Sequence, residues 1–171
     1  MRKWLLFLVL AIAFYLDTTF FNLVNLYGIR PDMMLAVVVS LGVLIGAAPA
    51  AAIGFCIGLL ADIMFNKIEG LTALTYMLTG VFSGFFYHKF YADNLIIPTV
   101  TAAVAAFIKT HVFFVAVLLA GAKPNYFLTL AAYMLPCSLL TAGATALIHL
   151  FLKKALYRPL WRQKALELDK D

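Results

Sequence analysis

The sequence predicts an all-α polytopic membrane helix bundle of about six transmembrane helices, and three observations carry that expectation. Of 171 residues, 65% are hydrophobic and 12% charged, with a mean hydropathy of +0.99, whereas soluble domains are about a quarter charged. The apolar residues gather in runs long enough to cross roughly 30 Å of hydrocarbon, for which about 20 residues suffice. Glycine, proline and charged residues collect between those runs. A water-soluble fold is excluded, and little chain remains for a catalytic domain. The net charge is +5, but its basic residues concentrate near the chain ends, which is how membrane orientation is written and not how nucleic acid is bound. Cys56 and Cys137 both lie inside apolar runs. They read as buried packing residues, with neither a disulfide framework nor a CxxC metal pair.

The first span runs from about Trp4 to Leu26. Arg2, Lys3 and the small-x-small triplet Ala11-Ile12-Ala13 imitate a signal peptide. The apolar run continues through Val24, however, which predicts an uncleaved helix. The turn Gly28-Ile29-Arg30-Pro31 ends this span, and Pro31 suits the first position of the next helix, where a missing N–H costs nothing. From Pro31 to Met64 the chain is apolar for 34 residues, about 51 Å as one helix and too long for a single crossing. Gly46-Ala47-Ala48-Pro49 interrupts it, predicting two antiparallel helices of about 24 Å each that either span a thinned bilayer or re-enter as a hairpin. A polar connection, Asn66 to Gly70, leads to a span from Leu71 to about Tyr87. The next occupies Leu95 to Ala120, and the last runs from Tyr126 to Leu152. Pro136 interrupts this last span and frees the carbonyl of Ala132. Residues 1–152 therefore form one transmembrane domain, and 153–171 a basic tail suited to an anionic inner leaflet.

This layout places nine Lys and Arg residues, among them Arg2, Lys3, Lys89 and Lys153, on one side. Arg30, Lys67 and Lys123 lie on the other, and Lys109 falls inside a span. The bias predicts cytoplasmic termini.

Small residues are the clearest local signal. Gly42 and Gly46, Gly54 and Gly58, and Gly80 and Gly84 each fall four apart, on one helix face, where they let helices approach closely. Packing within the bundle is the favoured use of these faces, with a partner's helix as the alternative. Asp62 continues the Gly54 and Gly58 stripe and is placed to position a neighbouring helix or loop, or else to reach headgroup water. Asp32 suits the positive end of the second helix. Asp17 and Lys109 lie at matched depth with opposite sign, and unpaired charge is costly there, so the expectation is an intramembrane ion pair joining the first and fifth spans. Thr18, Asn22 and Asn25 form a polar stripe on the first helix, a candidate partner surface. His111 and His149 lack ligand spacing, so no metal is expected. No nucleophile motif or phosphate loop occurs, so neither a catalytic residue nor a cofactor is expected.

Several of these residues also carry a family resemblance. Arg30-Pro31-Asp32-Met33-Met34-Leu35, then Gly54-Phe55-Cys56-Ile57-Gly58-Leu59-Leu60-Ala61-Asp62, then Gly70-Leu71-Thr72-Ala73-Leu74, and Gly80 with Gly84 together resemble the bacterial rod-shape-determining protein MreD family. The close match covers about a third of the chain, with Glu69 where that family more often has leucine before the loop glycine. The resemblance implies a non-enzymatic membrane scaffold of the cell-elongation machinery (elongasome), supporting peptidoglycan synthesis, cell wall growth and cell shape. It implies MreC as direct partner, with RodA, a class B penicillin-binding protein and MreB in the wider complex. It also implies a fold similar to the substrate-binding subunits of energy-coupling-factor transporters, which makes vitamin uptake the alternative function. A subunit of that kind should show a polar pocket and an Ala-x-x-x-Ala face on its first helix. Here Ala11 is followed four residues on by Tyr15, and Ala102 and Ala106 lie elsewhere.

Overall fold

The computed structural model describes residues 3–20, 30–65, 70–87, 95–122 and 125–168. Every described element is helical. Helix α1, Lys3–Tyr15, runs into a wide turn of π-helix at Leu16–Phe20. It is followed by α2 (Met33–Ile45), α3 (Ala47–Phe65), α4 (Leu71–Gly84) and α5 (Ile96–Leu119). Helix α6 is composite: Tyr126–Thr129, a π turn at Leu130–Met134, and Leu135–Leu168. Segments in three of these helices, Ala47–Met64, Ile96–Leu119 and Tyr126–Lys154, are long and apolar enough to cross a membrane, while Phe7–Thr19, α2 and α4 are shorter apolar helices.

The two helices expected between residues 31 and 64 are present, but they are unequal. Helix α2 has 13 residues and α3 has 19, about 20 and 28 Å at 1.5 Å per residue. The break falls on one residue, Gly46, whose φ of 96° is open to glycine and strained for other residues. Pro49 does not end a helix because it stands in the first turn of α3, where no N–H partner is required. At the other end, Pro31 stands two places before the first helical residue, not at that position. Asp32 takes the N-cap with extended backbone, φ −94° and ψ 92°, and its side chain accepts from Leu35 N–H, so the helix begins at Met33.

Helix α2 is the centre of the bundle and packs against α1, α3, α4, α5 and α6. Every residue from Met34 to Leu44 is buried, as a helix apolar on all sides requires when it is enclosed by protein. Its one hydroxyl, Ser40, donates to the carbonyl of Ala36 at 2.8 Å and leaves no polar group unsatisfied. Around α2, Val9, Ala13, Leu41, Leu44 and Leu152 form one core cluster. Met34, Leu35, Val39, Tyr76, Ala102 and Ala106 form another.

The tightest pairing is α3 on α4, and it consumes two of the predicted glycine faces. A Cβ on Gly58 would lie 2.5 Å from Ala73 Cα, and one on Gly84 would lie 2.2 Å from Ala47 Cα. Gly54 meets the Tyr76 carbonyl and Gly80 the Ala50 backbone in the same way. These faces are used inside the bundle, backbone against backbone, as close-packed membrane helices allow. The outer surface is apolar, with Ile63, Phe82, Phe127 and Leu147 each at least 60% exposed. Cys56 belongs to that exterior and is not the buried packing residue its apolar surroundings suggest, whereas Cys137 is buried. The π turn of α6 ends two residues before Pro136, where the missing N–H already breaks the regular hydrogen-bond ladder.

Candidate functional site: a charged cluster at the start of the buried helix

A helix N-terminus offers N–H groups without partners inside the helix. At α2 two carboxylates from different places take the first three. Asp17, on the π turn after α1, accepts from Met33 N through Oδ1 and from Met34 N through Oδ2, both at 2.9 Å. Asp32 Oδ1 accepts from Leu35 N at 2.8 Å. Both negative charges thus sit at the positive end of the helix dipole. Asp32 Oδ1 also accepts from the Tyr76 hydroxyl of α4 at 2.7 Å. Its backbone N–H donates to Thr141 Oγ1 of α6 at 3.0 Å. Its Oδ2 forms an ion pair with Lys109 of α5.

The Lys109 ammonium in turn donates to the Tyr76 hydroxyl at 3.2 Å and lies 4.6 Å from the centre of the Tyr76 ring. The side chains of this ion pair are only 19% and 13% exposed, which is tolerable within an apolar bundle because each charge meets opposite charge and hydrogen-bonding groups. One short segment therefore gathers α1, α4, α5 and α6 onto the start of α2. Cys137 of α6 adds a further tie, its thiol donating to the Arg30 carbonyl at 2.9 Å.

The expected partnership of Asp17 with Lys109 is not the one formed. Lys109 pairs with Asp32, while Asp17 accepts from the backbone of α2. All three groups nonetheless line one cavity of about 520 Å³, together with Arg30, Tyr76 and Tyr133. Thr18 lines it too and donates to the Tyr15 carbonyl at 3.3 Å. Asn22 and Asn25, the rest of that stripe, lie outside the described residues.

Asp62 repeats the capping device at the start of α4. It is 1% exposed and accepts from Thr72 N at 3.2 Å and Ala73 N at 2.9 Å. The N-cap of α4 is Gly70, in the left-handed region at φ 87° and without a side chain to offer. A carboxylate from α3 supplies the missing acceptor, and the alternative of reaching headgroup water is not taken. His111 Nε2 shares a 2.9 Å hydrogen bond with the Tyr126 hydroxyl, while His149 is buried in α6. Among the described residues no three His, Cys, Asp or Glu side chains are grouped to hold a metal.

Sequence reasoning missed Tyr76, Tyr133 and Thr141. The available signal for Tyr76 was its place on the polar face of α4, in line with Thr72, Thr79 and Ser83, all buried.

Searches of curated proteins and of solved structures found no match to this chain. The family model described as rod shape-determining protein MreD matches residues 1–159. The residues that carry the resemblance are those holding this architecture together: Asp32 at the start of α2, Gly54, Gly58 and Asp62 against α4, and Gly80 and Gly84 against α3. The chain therefore belongs to the rod shape-determining MreD family.

Proposed function

We propose that this protein is a non-enzymatic scaffold subunit of the bacterial cell-elongation complex. In this reading it binds MreC directly, with RodA, a class B penicillin-binding protein and MreB in the wider assembly supporting peptidoglycan synthesis. Its place would be the cytoplasmic membrane, crossed several times with both termini inside, as the distribution of Lys and Arg favours. The observation that carries the reading is the family match over residues 1–159.

The architecture suits a scaffold in two ways. The central helix is tied to four of its neighbours by one charged cluster, and α3 and α4 are locked by backbone contact. The polar stripe begun by Thr18, with Asn22 and Asn25, and the exposed face of α1, where Trp4 is 87% and Phe7 71% exposed, are the surface proposed for partners. Affinity purification of the tagged protein from its own detergent-solubilised membranes tests this. Co-purification of MreC with RodA and a penicillin-binding protein is expected. Recovery instead of a transporter's coupling subunit and ATPases would replace the scaffold with vitamin uptake.

A further inference from the structure

The cavity beside the charged cluster is larger than the cluster needs. At about 520 Å³ it falls within the usual range of small-molecule sites, about 300–1,000 Å³. Both π turns among the described residues border it: Leu16–Phe20 contributes Asp17 and Thr18, and Leu130–Met134 contributes Tyr133. Such turns interrupt regular helix and concentrate at functional sites.

Charge narrows the class of ligand. The described lining holds two acidic side chains, Asp17 and Asp32, and two basic ones, Arg30 and Lys109. A lone anion would meet the carboxylates and a lone cation the basic groups, so a ligand carrying both charges fits best. Two of the four aromatic rings in the lining already face a cation, since Lys109 lies 4.6 Å from the Tyr76 ring centre and 5.7 Å from that of Phe113. A carboxylate in the lining reads a cation by hydrogen bonding, which a primary ammonium can do and a quaternary one cannot. Phe14, Met34 and Phe113 give the same cavity an apolar wall.

We infer that this cavity binds a group bearing a primary ammonium beside an anion, as in the headgroup of phosphatidylethanolamine, with Asp17 facing the ammonium and Arg30 the phosphate. The inference does not depend on which proteins the scaffold meets. It is tested by native mass spectrometry of the full-length protein in detergent, titrated with phosphatidylethanolamine, phosphatidylcholine or phosphatidylglycerol, with soluble phosphoethanolamine as competitor. Retention of phosphatidylethanolamine about tenfold above phosphatidylcholine is expected, the factor one charge-assisted hydrogen bond supplies.

Phe113→Trp, which narrows the cavity without removing a hydrogen bond, should lower the retention of phosphatidylethanolamine, and Arg30→Gln at the exposed mouth, which takes away the phosphate's partner, should weaken retention of all three lipids. Thermal unfolding without added lipid, unchanged from wild type in at least one of them, certifies the fold. Displacement by phosphoethanolamine would identify a soluble zwitterion as the source, and its failure to compete would identify the lipid. Equal retention of the three lipids, preference for phosphatidylglycerol, or retention that neither variant changes would overturn the inference.

Discussion

Replacing Gly58 by alanine puts one methyl group where α3 and α4 touch. Its carbon would sit 2.5 Å from Ala73 Cα, 2.8 Å from Ala73 N and 2.8 Å from the Thr72 carbonyl oxygen. All three are backbone atoms that no rotamer change can move. The helices must separate by about 1 Å to restore ordinary carbon contacts of 3.5–4.0 Å. Overpacking of this kind costs about 1–3 kcal/mol. The same separation pulls Thr72 and Ala73 away from Asp62, four residues along α3, and weakening those hydrogen bonds to a charged group adds about 1.5 kcal/mol or more. The gain in helix propensity, about 1 kcal/mol, offsets part of this. A net loss of about 2–3 kcal/mol follows. The control is Gly143→Ala in α6, where an added Cβ meets nothing within 4 Å and a gain of about 0.4–1 kcal/mol is expected. Denaturant titration of the purified protein in mixed micelles measures both. A Gly58→Ala protein as stable as the Gly143→Ala protein would refute the backbone-contact account of this interface.

Three other outcomes follow from the charged groups. Lys109→Met leaves the Asp32 carboxylate without its ion-pair partner and should cost about 3–5 kcal/mol in the same titration. Adding Asp32→Asn, which removes the charge but keeps a good N-cap, should recover at least half, whereas Asp17→Asn should not. Asp62→Ala should cost about 1.5–3 kcal/mol by uncapping α4, detected by faster amide hydrogen exchange at Thr72 and Ala73 with little change in α5. For orientation, a fluorescent protein fused after Asp171 should fluoresce and alkaline phosphatase at the same point should stay inactive. The reverse pattern would place the C-terminus outside.

The sequence was most informative where chemistry is local. Glycine and proline marked the break at residue 46, and Asp32 announced a helix start. The four-residue stripe from Gly54 through Gly58 to Asp62 identified a packed face with a carboxylate at its end. Where a contact depends on how helices are rotated about one another, the same reasoning stopped short. Depth and sign made Asp17 and Lys109 plausible partners, but two carboxylates lie near the lysine and only the fold shows that Asp17 is held by the α2 backbone. The central place of α2 was illegible for a related reason, since a helix apolar on every side reads the same against lipid as against protein. Tyr76 looked like one more aromatic in an aromatic-rich chain, and only its hydroxyl's neighbours reveal its role. The tail is helical through Leu168, which its mixed basic and apolar composition allowed but did not require.

The claim on which the account turns is that this chain acts in determining cell shape, and depletion tests it most directly. The protein would be placed under a repressible promoter in its own rod-shaped host and cell width and length followed by microscopy. The account predicts that cells widen and round up as the protein is lost, and that a copy carrying Gly143→Ala restores rods. Cells that remain rods while losing uptake of a vitamin would contradict it.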